Sequence, residues 1–198
     1  MAMSNTSYHH GDLPSALVRA AVELLEEDGA ADLSLRAAAR RAGVSTAAPY
    51  RHFADRDALL SAVAAVGFRA LAEQLVAASA EPSTPEDLAT IAVAYVRFAL
   101  ARPALFRVMF SDPCDPTSPE RVAATTAIHD YVQAIVRKIY PTADEESLTN
   151  AMWALVHGLA FLYLQGKFDA AADAELENRV RSTVFAIIEL PKAPSAQG

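Results

Sequence analysis

The sequence predicts an all-α protein with two parts, an N-terminal three-helix domain that contains a helix-turn-helix and a C-terminal helical bundle. Apolar residues recur at helical spacing along nearly the whole chain, and short alternating strand patterns bounded by turns are missing. Glycine is scarce, with 7 residues among 198, while alanine is abundant. These features favour helices and argue against an all-β sandwich or barrel.

The composition predicts a compact protein of a reducing compartment. With 53% hydrophobic residues, the chain can bury a large core without a metal ion or a disulfide bond. Its single cysteine, Cys114, cannot form an internal disulfide, so we expect a cytoplasmic location. The chain has neither an uninterrupted run of about 18 apolar residues nor an apolar segment near its N-terminus, so we expect no membrane span and no secretory signal.

Four helices are predicted in the first 80 residues. The first extends from an Asp12 cap to Asp28, and the second from the Ser34 cap to residue 41 or 42. The third extends from the Ser45 cap to about residue 52 or 53, and the fourth from the Asp55 cap toward residue 80. Gly29 and Gly43 are the predicted stop signals of the first two helices, because glycine readily adopts the left-handed conformation found at helix ends.

The segment EPSTPED, residues 81–87, is the strongest break in the helical pattern and the best candidate for a domain junction. Beyond it we expect helices over residues 88–100, from Arg102-Pro103 onward, and over about 119–139, 144–166 and 172–189. The loop SDPCDPTSP is expected to be irregular, and PKAPSAQG is expected to be a frayed tail.

Positive charge is concentrated in one stretch of an acidic protein. The net charge is −7, yet residues 34–56 contain five arginines against one aspartate, a local charge of +4. Residues 57–198 contain 11 basic and 17 acidic side chains. A basic segment of this kind is expected where one face contacts phosphates, although arginines scattered over solvated helices would give the same count.

The same stretch, SLRAAARRAGVSTAAPYRHF, has the spacing of a helix-turn-helix. Ala39, four residues before Gly43, must be small because the second helix crosses close to it, and Gly43 permits a left-handed turn. Val44 fills the junction, and Ser45 accepts hydrogen bonds from free N–H groups at the start of the second helix. An ordinary corner between two helices is the alternative interpretation.

The first sixty residues resemble the DNA-binding domain of the TetR family of transcriptional regulators. The resemblance rests on the first helix that ends at Gly29, on LSLRAAARRAGVS and on YRHFADRDALL, in the order and spacing of that family. WALVHGLAFL, residues 153–162, also resembles a Trp-x-x-x-His-Gly signature found in one branch of TetR-type regulatory domains. The helices between these two segments match the family in their arrangement along the chain.

The resemblance implies a set of DNA-binding residues, whose hydroxyl and guanidinium groups would fix the register on phosphates while short side chains approach the bases. The set is Ser34, Arg36, Ser45, Thr46, Ala47, Ala48, Tyr50, Arg51, His52 and Arg56. Residues 46–48 would open the recognition helix and face base edges. Tyr50 and His52 would contact phosphates, Ser34 and Arg36 the DNA backbone, and Arg56 stands where the family usually has a lysine.

Two features depart from the pattern of the family. Residues 37–39 are all alanine, where the family usually has a larger aliphatic side chain. Pro49 lies four residues after the Ser45 cap, where we expect it to remove at most the first intrahelical hydrogen bond and leave the helix intact. Because Ala47 and Ala48 offer few polar groups, sequence readout would depend on thymine methyl contacts and DNA shape.

Aromatic residues in the C-terminal part suggest an effector cavity. Phe106, Phe110, Trp153, His157 and Phe161 lie at helical spacings, and we expect them to wall a cavity for a small apolar or amphipathic effector. A solid core in which His157 has a hydrogen-bond partner is the alternative.

We expect no metal site, no cofactor and no catalytic activity. His9 and His10 are adjacent and have no distant partner ligands, so we assign them to an arm that could touch DNA. Cys114 is expected to be an inert thiol, with redox sensing as the alternative. No serine, cysteine or carboxylate is placed by sequence to form a nucleophile pair with His157.

A homodimer that binds a palindromic operator in double-stranded DNA is expected. A single helix-turn-helix makes too few contacts for tight binding, and a two-fold dimer matches half-sites about one helical turn apart. The last two long helices have wide apolar faces, and in the TetR family the corresponding helices pair as a four-helix bundle. Packing within one chain is the alternative use of these faces.

These features predict a DNA-binding transcriptional regulator with a DNA-binding domain at residues 1–56 and an effector-binding and dimerisation domain at residues 57–198. The helix over about 55–80 would link the two. The expected mechanism is repression that a small-molecule effector relieves by favouring a conformer with wrongly spaced recognition helices. Control by a protein partner, without a small-molecule pocket, is the alternative, and an enzyme that uses His157 is a third class without support from any residue constellation.

Overall fold

A computed structural model describes residues 13–31, 33–110, 115, 117–141, 144–169 and 172–189, and over these residues the regular secondary structure is entirely helical. This confirms the all-α prediction. The helices are α1 (Leu13–Asp28), α2 (Leu35–Arg41), α3 (Arg56–Ala78), α4 (Pro85–Ala101), α5 (Pro103–Phe110), α6 (Pro119–Ile139), α7 (Glu145–Leu164) and α8 (Asp173–Ile188). A 3₁₀ turn, Pro49–Arg51, lies between α2 and α3.

The start of α4 lies three residues before the predicted one. Thr84 caps this helix, and its hydroxyl oxygen accepts a hydrogen bond from the backbone N–H of Asp87 while the Asp87 carboxylate accepts one from the N–H of Thr84. Pro85 occupies the first turn, where its missing N–H has no cost. The hydrogen bond from the backbone N–H of Ser83 has the largest effect on the pKa of Asp87, followed by those from the hydroxyl and the N–H of Thr84. Together they lower this pKa to about 2.

The described residues group into two compact units. The first comprises the described part of Met1–Gly67 with that of Ala104–Ala123, and the second comprises Phe68–Pro103 with the described part of Ala124–Gly198. The division falls inside α3. The predicted domain boundary after residue 56 stays a prediction.

The first unit has an apolar core to which α1 and α2 contribute, together with a close approach of α5 to α3. Leu17, Leu25 and Phe53 are buried in it. A Cβ atom built on Gly67 would lie 2.7 Å from Sδ of Met109, so the absence of a side chain at this position of α3 permits the contact with α5.

The second unit is built around α4, which packs against α7 and α8. Most residues of α4 are buried, as expected for a helix whose sequence is mostly apolar. Its largest buried side chains are Leu88, Ile91, Tyr95, Val96 and Phe98.

Among the described helices, α3 and α7 are each long and apolar enough to cross a membrane, by length and composition only, and α4 and α5 meet the same criteria when they are taken together as one helix pair bent by 105°. Within the 18-residue apolar window, 56% of α3 is buried in the chain but only 33% of α7. The expectation of no membrane span rested on uninterrupted apolar runs and stays a prediction. The low burial of α7 means that much of its apolar surface is exposed in the single chain.

Candidate functional site

Both ends of α2 have the hydrogen bonds that the sequence predicts. The Ser34 hydroxyl oxygen accepts from the N–H of Ala37 at 3.1 Å and caps the helix. At the other end, Gly43 has φ +70°. Its N–H donates to the carbonyl oxygen of Arg40 at 3.1 Å, and the N–H of Val44 donates to that of Ala39 at 3.0 Å. This pair of bonds is the Schellman arrangement, so the turn after α2 has the conformation that a helix-turn-helix needs.

The prediction of a helix from Ser45 to residue 52 or 53 is wrong. The chain forms turns over residues 46–48 and a 3₁₀ turn at Pro49–Arg51. An α-helix would need an N–H on Pro49 to bond to the carbonyl oxygen of Ser45, and that oxygen instead accepts from the N–H of Ala48 at 2.9 Å. Because proline has no N–H, the start of the segment forms hydrogen bonds between residues three apart instead of four.

The predicted DNA-binding residues divide by exposure. The exposed ones are Arg36, Ser45, Thr46, Ala47, Tyr50, Arg51 and His52, and the half-buried ones are Ser34, Ala48 and Arg56. Tyr50 is 52% exposed, unusually high for a large aromatic side chain, while the adjacent Pro49 is buried. Burial of Pro49 therefore fixes the segment to the unit while Tyr50 stays accessible. The DNA contacts themselves stay a prediction.

Arg56 forms hydrogen bonds within the protein. Its Nε donates to the carbonyl oxygen of Leu33 at 2.9 Å, and Nη2 donates to that of Ala30 at 2.8 Å. Both carbonyls belong to the connection between α1 and α2. Arg56 thus joins the start of α3 to this connection, a role that the sequence did not reveal.

Part of the basic stretch is paired inside the protein. The Arg41 guanidinium forms two hydrogen bonds to Glu27 in α1 and a weaker one to Glu23 at 3.4 Å. The hydrogen bond from Arg41 lowers the pKa of Glu27, and Glu27 raises the pKa of Arg41. The local charge of +4 therefore overstates what the segment offers to phosphates, because Arg41 is matched by acidic residues that precede the segment.

A cavity with a free volume of about 40 Å³ lies in the second unit. Its walls come from α3, α4, α6 and α7, and the lining residues are Leu75, Leu88, Ile91, Ala92, Tyr95, Ile128, Val132, Thr149, Met152, Trp153 and Val156. None of these side chains is charged. Typical ligand pockets measure about 300–1,000 Å³, so a ligand of ordinary size would have to widen this cavity.

Three polar side chains lie beside one another at the cavity. The Tyr95 hydroxyl and Nδ1 of His157 are 3.1 Å apart, within hydrogen-bonding distance. Burial raises the pKa of Tyr95, and a hydrogen bond with Trp153 partly opposes that rise. Burial also lowers the pKa of His157, so the imidazole is neutral near pH 7. Nδ1 of His157 therefore has a protein partner within hydrogen-bonding distance, and its assignment to an effector site stays a prediction.

The five predicted effector residues fall in two places. Trp153 lines the cavity, His157 contacts the lining residue Tyr95, and the rings of His157 and Phe161 lie 4.8 Å apart. Phe106 and Phe110 belong to the first unit, where their ring centroids are 4.8 Å apart, and neither lines the cavity.

Of the predicted effector residues, Trp153 alone is in the lining, so the sequence analysis missed the other lining residues, including the two that have hydroxyl groups, Tyr95 and Thr149. Their signals were present, because α4 is mostly apolar and residues 149, 152, 153 and 156 of α7 recur at helical spacing.

A second, larger groove of about 390 Å³ lies in the same unit. Its charged lining residues are Arg97, Glu177 and Arg181, which bind one another: Glu177 accepts from Arg97 and from Arg181, each at 2.9 Å. Arg97 also forms an ion pair with Asp173. These pairings neutralise the groove, so no net charge favours an ionic ligand there.

Within the described ranges, no group of three or more His, Cys, Asp or Glu side chains is placed to hold a metal ion. His9, His10, Asp12, Cys114 and the tail from residue 190 onward lie outside the described residues. The predictions made for them are therefore not addressed by the structure.

Two family models match the chain. The model described as "Bacterial regulatory proteins, tetR family" matches residues 17–63, which include α2, the turn and the start of α3. The model described as "Tetracyclin repressor-like, C-terminal domain" matches residues 88–184, which include most of the second unit. Together the two matches cover most of the chain.

Relatives and solved structures agree with these matches. HTH-type transcriptional regulators of Mycobacterium bovis and Mycobacterium tuberculosis are each 32% identical over 122 residues, which is 58% of this chain but only about half, 52%, of each regulator. A solved protein of unknown function from Rhodococcus sp. RHA1 is 36% identical, with a TM-score of 0.77 over 91% of this chain and 97% of its own. A regulatory protein of the tetR family from Rhodococcus RHA1 shares the fold at 18% identity, with a TM-score of 0.66 over 88% and 96% of the two chains.

Proposed function

The chain belongs to the TetR family of bacterial regulatory proteins, and we propose that it is a cytoplasmic, homodimeric transcriptional repressor that a small-molecule effector releases from a palindromic operator. The main support is the segment of residues 34–56, where the turn after α2 has the helix-turn-helix geometry and most of the predicted DNA-binding side chains are exposed. No enzymatic step is part of this proposal.

On DNA, the exposed residues of this segment would have two roles. Arg36 and Tyr50 would contact phosphates, which contributes affinity and sets the register. Thr46 and Ala47 would approach base edges from the turns that precede Pro49. Because this segment is not a regular helix, its few polar groups would supply only part of the sequence readout, and DNA shape would supply more.

Selection from random-sequence duplex DNA tests this interface. We expect wild-type protein to enrich a palindromic site, with Arg36→Ala and Tyr50→Ala each weakening binding about 5-fold for one lost phosphate contact. Loss of the Arg36 charge should also reduce the slope of log affinity against log salt by about 1. Arg69→Ala, which removes an exposed arginine of α3 far along the sequence, is the matched control. Failure to enrich any site, or variants that bind like wild type, would refute the interface.

The proposed dimer uses α7 and α8. Ala151, Ala154, Gly158 and Leu162 are all exposed and recur every three or four residues, so they share one face of α7. A Cβ atom on Gly158 would meet nothing within 4 Å, and Ile187 of α8 is 38% exposed. An exposed apolar face with small residues suits a second helix that approaches closely.

Sedimentation velocity tests this dimer. Leu162→Glu places a charge on the proposed face and should shift the protein toward monomer. Val76→Glu is the matched control, because Val76 is also an exposed apolar residue, at 46% against 37% for Leu162, but lies on α3. The interface is wrong if the two variants have the same association state.

Release by an effector would act through α3. This helix begins with Arg56, which holds the α1–α2 connection, and contributes Leu75 to the cavity. An effector can shift the protein between conformers only by binding one more tightly than the other, so a ligand that widens the cavity would favour the conformer with the wider cavity. The small resting volume of about 40 Å³ favours a second candidate, in which a protein partner controls DNA binding.

A further inference from the structure

The five arginines of residues 34–56 fall into two groups by their contacts. Arg41 binds acidic side chains of α1, and Arg56 donates to two backbone carbonyl groups, so both guanidinium groups are occupied inside the protein. The other three, all exposed, are Arg36, Arg40 and Arg51. Within the described part of the chain, the side chains of these three have no ion-pair or hydrogen-bond partner. Their charges are therefore available to a partner outside the protein.

Arg40 is the exposed arginine of this group that the family resemblance did not assign to DNA. The buried residues of α2 are Leu35, Ala38 and Ala39. Arg36 and Arg40 are four residues apart on α2, so they share a different face of this helix and lie about 6 Å apart along its axis. Arg41 lies about 100° further round the helix, and its guanidinium meets α1 instead.

The spacing of these two side chains suits the backbone of a DNA duplex. Each strand presents one phosphate for about every 3.4 Å of duplex axis. Two flexible arginine side chains about 6 Å apart on one helix face therefore reach two separate phosphates, once Arg36 makes the backbone contact expected of it. A purely structural use of Arg40 is the alternative, because Arg40 lies in the last turn of α2, where a cation interacts favourably with the helix dipole.

We propose that Arg40 binds a second backbone phosphate beside the one contacted by Arg36, and that the adjacent Arg41 binds none. The inference rests on the proposed function and adds to it a residue that doubles the phosphate contacts of α2. Each phosphate that a cation neutralises releases counterions and steepens the dependence of log affinity on log salt by about 0.9. The contribution of each arginine is then decided by its contacts inside the protein, and not by its presence in the basic stretch.

Fluorescence anisotropy with a labelled duplex of random sequence tests this without knowledge of the operator. The full chain is titrated at several salt concentrations between about 50 and 200 mM. Arg40→Gln should weaken binding about 5-fold and reduce the salt slope by about 0.9 for each bound chain, as Arg36→Gln should. Arg41→Gln is the matched control, because it removes the same charge from the neighbouring residue and should leave the slope unchanged. Arg40→Lys keeps the charge and should keep the slope.

The possible results separate this inference from the proposed function. If Arg40→Gln has the wild-type slope while Arg36→Gln has a smaller one, the inference is overturned and the proposed DNA interface stands. An equal reduction in Arg41→Gln also overturns it, since the slope would then follow net charge and not a phosphate contact. Weaker binding of Arg40→Gln at an unchanged slope would assign Arg40 to the stability of α2 alone. If the wild-type chain does not bind duplex DNA at about 50 mM salt, the proposed function fails together with the inference.

Discussion

Replacing Arg56 by alanine separates a structural role of this residue from a DNA contact. The two hydrogen bonds from its guanidinium, 2.9 Å to Leu33 and 2.8 Å to Ala30, join α3 to the connection between α1 and α2. A hydrogen bond to a charged group contributes about 1.5–3 kcal/mol, but Arg56 is half-buried and water can replace part of each bond. We therefore expect Arg56→Ala to lower the free energy of unfolding of the first unit by about 2 kcal/mol.

The assay is native-state hydrogen exchange of the amides of α1 and α2, which reports the opening of this unit separately from the second. Arg56→Lys, which can keep one of the two bonds, should give about half the loss. Arg36→Ala is the matched control: Arg36 is exposed, so this variant should weaken DNA binding and change the unfolding free energy by less than about 0.5 kcal/mol. If Arg56→Ala loses DNA binding while exchange stays at the wild-type rate, Arg56 contacts DNA and its internal hydrogen bonds contribute nothing measurable.

Three further outcomes are expected. Thr149→Val should raise the melting temperature by about 2–4 °C, because a methyl group replaces an unpaired buried hydroxyl. A melting temperature below that of the wild type would show that the hydroxyl has a partner. Gly43→Ala should cost about 1 kcal/mol in chemical denaturation because φ is +70°, and Gly43→Asn, which tolerates this conformation, should cost less; equal losses would exclude backbone strain as the cause. Burial lowers the pKa of His157 below the ordinary imidazole pKa of 6.5, so near that pH the unfolded chain binds more protons at this residue than the folded chain does. The free energy of unfolding should therefore decline as the pH falls below 6.5. An imidazole pKa at or above 6.5 in an NMR titration would contradict this.

Helix ends and caps followed from the sequence because their causes lie within one turn of the chain. The hydroxyl of Ser34 and the carboxylate of Asp55 each accept from an N–H three residues later, and Gly29 and Gly43 have positive φ at the ends of α1 and α2. The early start of α4 was also local, since Thr84 and Asp87 form a capping box that the sequence analysis did not use. The helix-turn-helix segment and its family resemblance depend on the same short-range pattern.

Pro49 shows where a local argument can fail. Its position near the cap suggested that only one hydrogen bond would be lost and that a helix would follow. In the structure the segment forms turns and a 3₁₀ turn, with Pro49 buried against the unit and Tyr50 exposed. Whether a short segment completes a helix depends on what its side chains pack against, and that information is not in the segment.

The sequence by itself determined the eight α-helices of the described residues, the turn that defines the helix-turn-helix and the family to which the chain is matched, but it also predicted a helix after Ser45 that does not form. The tertiary structure decided which arginines of the basic stretch bind inside the protein and which side chains form the cavity. Arg56 reaches carbonyls 23 and 26 residues away, and Tyr95 contacts His157 across 62 residues. Helical periodicity shows which face of a helix is apolar but not which helix it meets, so partners this distant, and the unpaired hydroxyl of Thr149, are set only when the helices pack.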